Sequence, residues 1–253
     1  MPSVLIVGAT RGLGASLATQ YVEKGWAVYG TTRSQAGPEG LADSIKWLTA
    51  VDLMQADVGD GIVEGLKGSK PLDVAIITAG VFATEDFQDG PKWDEELRMY
   101  TTSSVAPVFI VHRLVHAGLL HKGSKVVLVS SEAGSLALRT EAEGNYAHHA
   151  SKAALNMVGK LLSFDLKDKE IVVSIVHPGF MRTEMTRGVG FDKYWDEFHA
   201  VTADEAAKSL IGWTDKLDMS KSGQYWAPRG PLDIGTAEAV LGKGLPTPLE
   251  LPW

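Results

Sequence analysis

The segment that most constrains this chain lies near its start. Val4-Leu5-Ile6-Val7 is a continuous apolar run, the mark of a strand buried on both faces of a parallel sheet. Glycines follow at 8, 12 and 14. From Gly12 to Lys24 the apolar residues Leu13, Leu17, Ala18 and Tyr21 recur at helical spacing, and Gly25 supplies a C-cap. Strand, glycine turn and helix together form a phosphate site. Gly8 and Gly12 let the backbone approach a pyrophosphate, and the helix N-terminus adds free N–H groups and positive dipole. A glycine-rich turn by itself only shapes a βα connection, but the strand before it and the helix after it select the nucleotide reading.

Composition narrows the class. A chain of 253 residues, 45% of them hydrophobic, suits one large α/β domain, 1–253, with a proper core. The formal charge of −7 gives no basic footprint for nucleic acid or an anionic membrane, so phosphate binding must be local. With no cysteine, disulfides, thiolate metal sites and a cysteine nucleophile are excluded. The strand-like run begins after two residues, which leaves no room ahead of it for a charged leader, and no apolar stretch reaches membrane-spanning length. A cytoplasmic protein is expected.

Trp26 to Thr31 reads as the second strand and ends in Thr32-Arg33-Ser34. A carboxylate here binds a ribose 2′-OH, whereas an arginine accommodates a 2′-phosphate. Arg33 stands here and Arg11 sits in the glycine turn, so NADP(H) is expected over NAD(H). A short helix is expected up to about Leu48, then a strand from Val51 to Ala56, with Asp57-Val58 closing it beside an adenine edge. Leu72 to Ile77 is another apolar run, emptying into Thr78-Ala79-Gly80, whose small residues let a ribose pack on the backbone. Segment 91–118 is predicted as one helix. His112 and His116 lie one turn apart on it, but nothing placed nearby completes a metal site, so no metal is expected. Lys125 to Val129 is a buried strand with Ser130-Ser131-Glu132-Ala133-Gly134 at its C-terminal end, where open parallel sheets keep their ligands. A long helix spans 145–166, a strand 171–176, a helix 203–216 and a strand 223–226. Residues 184–201, rich in Met, Phe, Tyr and Trp, are expected to form an apolar substrate lid. The arm 229–253, with four prolines between Pro231 and Pro252, is expected to be irregular.

Tyr146-Ala147-His148-His149-Ala150-Ser151-Lys152 is where these elements converge. A group four residues before a lysine shares its helix face, and an ammonium there can stabilise a phenolate. In this chain that residue is His148, and Tyr146 points elsewhere around the helix.

Taken in order, these motifs resemble the short-chain dehydrogenase/reductases over residues 3 to about 228, and most the branch of C-factor-like and sniffer-like carbonyl reductases. The matches are Gly8-Ala9-Thr10-Arg11-Gly12-Leu13-Gly14, Asp57-Val58, Ala79-Gly80, Ser130-Ser131 with Gly134, Ser151 through Asn156, and Pro178-Gly179 with Thr183. The resemblance implies a Rossmann-like doubly wound parallel sheet of about seven strands with helices on both faces. It implies that Ser131 holds a substrate carbonyl, that Lys152 binds the nicotinamide ribose, and that Pro178, Gly179 and Thr183 position the carboxamide. It also implies a homodimer or homotetramer built through the helices at 91–118 and 145–166. Three positions depart from the family. His148 replaces the proton-donating Tyr, Ser103 the helix Asn, and Thr78 the Asn of the Asn-Ala-Gly turn.

Carbonyl reduction needs a hydride and a proton. His148 could supply the proton, but Lys152 beside it should depress its pKa, and Tyr146 is a spare at the helix start, where geometry is loosest. Three readings stand: an NADPH-dependent reductase of a carbonyl, imine or iminium in an apolar small molecule; a redox-neutral cyclase, isomerase or eliminating enzyme on the same scaffold; and a non-catalytic NADP(H)-binding protein.

Overall fold

A computed structural model describes residues 1–140 and 144–253. Its centre is an eight-stranded sheet in the order β10-β9-β6-β5-β4-β1-β2-β3. These strands are β1 (Ser3–Val7), β2 (Ala27–Thr31), β3 (Lys46–Leu48), β4 (Leu72–Ile77), β5 (Leu120–Val129), β6 (Val172–Val176), β9 (Gln224–Ala227) and β10 (Leu249–Glu250). All neighbours pair parallel except β9 and β10, so the doubly wound parallel sheet expected from sequence is present and carries an added antiparallel edge.

The apolar runs are continuous because both faces of the sheet are covered. Leu5 and Val7 face one side with Ala75, Ile77, Val126 and Leu128, under helices α2 (Val58–Gly65), α4 (Ala106–His116) and α5 (Tyr146–Asp165). Val4 and Ile6 face the other with Val74, Ile76, Val127 and Val129, under α1 (Gly12–Glu23) and α7 (Ala203–Asp215). The period of two along each strand therefore sorts neighbouring residues into two separate cores.

Several expectations are corrected. Residues 34–45 form turns and bends, not a helix, and the third strand is Lys46–Leu48, ahead of the expected 51–56. Trp47 decides this: its indole lies where a Cβ on Gly37 would stand 2.2 Å from Nε1, and it also packs against Gly30, so the strand is fixed by an aromatic filling glycine gaps. The helix expected over 91–118 is divided into α3 (Trp93–Tyr100), a π-helical turn at Thr101–Val105, and α4. Pro107 has no N–H to return to the carbonyl of Ser103, and the chain relieves that break by widening. The arm 229–253 is irregular over most of its length, but it carries α8 (Ala237–Leu241) and β10 and packs firmly, burying Ile234, Ala237, Leu249 and Leu251 against Tyr225, Ile175 and Leu138. Between β6 and α7, the short strands β7 (Met181–Arg182) and β8 (Val201–Thr202) pair and close the base of the segment between them, which includes α6 (Glu184–Gly188). Among the described residues no helix is long and apolar enough to cross a membrane.

Candidate active site

The C-terminal ends of β1, β2, β4, β5 and β6 open into a cleft of about 1010 Å³. At one end the glycine turn is packed as tightly as its composition suggests. Gly8 has φ +91° and Gly12 φ +53°, conformations open to glycine. A Cβ on Gly14 would lie 2.0 Å from the Gly8 carbonyl oxygen, and one on Gly8 2.9 Å from the Ala79 backbone. Arg11 precedes α1 in extended conformation with no side-chain cap, which leaves the first N–H groups of the helix free for an anion. Thr78 has a structural task here: its hydroxyl is 2.9 Å from the Val7 carbonyl and 3.1 Å from that of Gly8, fastening the end of β4 to the turn.

Of the residues assigned to the cofactor, Gly8, Thr10, Arg11, Gly12, Leu13, Gly14, Arg33, Ala79, Gly80, Lys152, Pro178, Gly179 and Thr183 line this cleft. Asp57 and Val58 do not. Asp57 is exposed at the start of α2 and Val58 is buried in the core, while Asp52 and Leu53 take the place assigned to them on the cleft wall. The misreading follows from the late placement of the third strand. With β3 ending at Leu48, the Asp-apolar pair that follows it is Asp52-Leu53.

At the other end stand Ser131, Lys152 and His148. Ser131 follows β5, and its Oγ accepts the Ala133 N–H at 3.2 Å, leaving the hydroxyl proton free to donate. Gly134 sets the distance from this turn to α5, because a Cβ there would lie 2.7 Å from the Lys152 carbonyl carbon. Lys152 is buried and donates to the Val129 carbonyl at 3.0 Å, and burial pulls its ammonium down to about 8. His148, one turn earlier on the same face, packs on Phe82 with ring centroids 4.2 Å apart. Burial, then the charges of Lys152, His149 and Arg139, hold its imidazole down to about 3, so it is neutral at physiological pH. Its Nδ1 is buried with no hydrogen-bond partner among the described residues. Tyr146 is not brought to the site: it is 42% exposed and lies outside the cleft. The start of α5 is held by Glu85, whose Oε1 accepts the Ala147 N–H at 2.6 Å. Ser103 is buried in the π-helical turn, its Oγ also without a partner among the described residues.

Sequence reasoning missed much of the remaining wall. Arg139 pairs with Glu132 and stands 3.3 Å from Nε2 of His149, whose Nδ1–H donates to the Asn145 carbonyl. Phe82, which the sequence did not single out, joins Phe191, Tyr194 and Phe198 of the aromatic segment 184–201 expected over the substrate, and together they give the wall its apolar face. Asp233, from the arm, bonds His177 at 3.0 Å. Glu132 was legible by adjacency to Ser131, but nothing in the spacing marked Arg139 or Asp233. His112 and His116 stack at 4.0 Å on α4, and among the described residues no group of three or more His, Cys, Asp or Glu could hold a metal ion.

This combination of a doubly wound sheet, a glycine-lined phosphate turn and a Ser–Lys pair at its mouth defines a nicotinamide-dinucleotide oxidoreductase. The family model described as short chain dehydrogenase matches residues 2–193, and the chain belongs to that family. It is 30% identical over 227 residues to the 1-hydroxy-2-glutathionyl-2-methyl-3-butene dehydrogenase of Rhodococcus sp. (strain AD45), covering 89% of this chain and 96% of that one. The solved structure of carbonyl reductase Sniffer of D. melanogaster matches over 100% of both chains with a TM-score of 0.76 at 23% identity. A putative short-chain dehydrogenase/reductase from Burkholderia multivorans with bound NADP matches 89% of this chain and 96% of that one, with a TM-score of 0.71 at 23% identity.

Proposed function

We propose that the protein is an NADPH-dependent reductase of a carbonyl, imine or iminium in a sizeable apolar small molecule, working without the family's usual acid. The observation that carries this reading is His148: it stands one helical turn before Lys152, where the family resemblance puts the donor, yet is kept neutral, while Ser131 and the Pro178–Thr183 turn stand on the same cleft. Arg11 and Arg33, with no carboxylate at the end of β2, suit a 2′-phosphate. The glycine turn and the start of α1 would take the pyrophosphate, Lys152 the nicotinamide ribose, and Pro178, Gly179 and Thr183 the carboxamide. When bound, the dinucleotide supplies the hydride.

Ser131 donates its hydroxyl proton to the oxygen of a ketone or the nitrogen of a neutral imine, and its oxygen accepts the N–H of a protonated iminium, whose nitrogen has no lone pair to offer; either way it orients the group. A ketone becomes an alkoxide that needs a proton, and neutral His148 can offer only a weak N–H bond. An iminium becomes a neutral amine and needs none, so this acid-poor site fits an iminium better than a ketone. Phe82, Phe191, Tyr194 and Phe198 favour an apolar, aromatic-sized substrate under a lid formed by residues 184–201.

The test is NADPH oxidation followed by nicotinamide absorbance across a panel of ketones, imines and iminium salts. Turnover is expected with iminium salts and with imines basic enough to enter protonated, and Ser131→Ala should cost on the order of a hundredfold in kcat. Conversion of a substrate to its isomer with no absorbance change would instead support a redox-neutral enzyme. The altered proton machinery, His148 for Tyr and Ser103 for Asn, is what keeps that second reading in play.

A further inference from the structure

The C-terminal arm reaches the heart of the site through one carboxylate. Asp233 and His177 are both buried, with side chains 3% and 6% exposed. Oδ2 of Asp233 accepts the Phe180 N–H in a short contact and lies 3.0 Å from Nε2 of His177. On the other side of the ring, the Glu132 N–H donates to Nδ1 at 3.0 Å. Nδ1 therefore carries no proton, and the hydrogen is on Nε2, pointing at Asp233. A single chain of bonds thus runs from the arm to the Pro178–Phe180 turn after β6, and through the imidazole to the residue next to Ser131 after β5. The arm also presses on the turn itself, since a Cβ on Gly179 would lie 2.9 Å from Cδ of Arg229 and 3.4 Å from Oδ2 of Asp233.

We propose that Asp233 is a positioning residue, which through His177 sets the nicotinamide turn and the Ser131 turn at a fixed separation. This assigns the arm a part in aligning hydride acceptor and hydride source. The assignment rests on the NADP(H) reading above. The groups facing His177 are Asp233 and Arg229 from the arm and Glu132 from the end of β5, the last itself paired with Arg139. Burial opposes protonation of His177 and Arg229 adds to that, but the charge and hydrogen bond of Asp233, helped by Glu132, outweigh them and raise its pKa. Protonation would put a hydrogen on Nδ1 against the Glu132 N–H and open the link.

The experiment compares binding of NADPH and of adenosine 2′,5′-bisphosphate, which has no nicotinamide half, by calorimetry over a pH series. Asp233→Ala should weaken NADPH about tenfold or more, the worth of a lost buried hydrogen bond, and leave the bisphosphate unchanged. A general loss of structure would weaken both alike, and equal retention or equal loss overturns the proposal. If Asp233→Ala fails to fold, Asp233→Asn decides. Its amide oxygen can still accept from Phe180 and His177, so NADPH affinity at neutral pH should persist while the acid-side loss of binding moves to lower pH. An unmoved acid limb overturns the proposal. Wild-type protein that binds neither compound overturns the cofactor reading and the positioning role with it.

Discussion

His148 is a residue whose environment contradicts its usual chemistry, and that conflict is measurable. Its folded pKa of about 3 lies below the ordinary value of 6.5, chiefly because it is buried. As pH falls below 6.5 the unfolded chain takes up a proton that the folded chain refuses, so the group subtracts stability progressively on the acid side until pH approaches 3. Between about pH 7 and 5 the loss is on the order of 1 to 2 kcal/mol. His148→Phe should therefore show a smaller fall in Tm across that interval than wild type, and parallel pH curves for the two proteins would contradict the neutral imidazole. Cofactor choice also rests on single side chains. Arg33→Asp should weaken NADPH far more than NADH in a direct titration, and an equal loss would remove the 2′-phosphate contact. The sequence made the helix-face pairing of His148 with Lys152 legible, because spacing of four depends on helix geometry alone. It made Asp233 illegible, because a carboxylate 56 residues from its histidine partner has no periodic signature. Asp57 was a false match for a related reason: an Asp-apolar pair recurs at 52–53 and 57–58, and only the true end of β3 chooses between them.

At the level of elements, the site depends on how closely α5 sits on the turn after β5. Gly134 meets the Lys152 and Ala153 backbone with no space for a methyl, and Ser130 and Asn156 bond across the same contact at 2.6 Å. Gly134→Ala should push the helix outward, at a cost of about 1–3 kcal/mol of stability, and reduce turnover by more than that stability loss explains, since Lys152 and His148 move away from Ser131. Tm and kcat measured on the same preparation would check it, and a destabilised variant with undiminished kcat would refute the alignment role of this contact. Most of these elements were legible. Buried parallel strands announce themselves as unbroken apolar runs, and α1, α5 and α7 carry caps or periodicity at their ends. The failures fall where local signals compete. Lys46-Trp47-Leu48 suits helix or strand until Trp47 finds Gly30 and Gly37, and the π-helical turn is set by what Pro107 cannot donate.

Across the whole molecule, the outer faces of α4 and α5 remain apolar: Val108, Phe109, Met157, Leu161 and Phe164 are exposed. A patch of this kind suits association of two copies, as the family resemblance implies. Leu161→Glu combined with Phe164→Glu should give a monomer by light scattering with its fold intact by circular dichroism, and an unchanged mass would place any interface elsewhere. The overall architecture was the most legible level of all, since alternating strands and helices admit few other arrangements, whereas the packing of the arm was hidden by its prolines. That arm has one more effect. The two outermost strands of the sheet are β10, two residues long and antiparallel, and β3, three residues long with Lys46 exposed. Neither offers a long bare row of backbone donors and acceptors, so the protein is guarded against strand-to-strand aggregation at both margins, and a concentrated solution should assemble through helices in finite particles in preference to growing fibres.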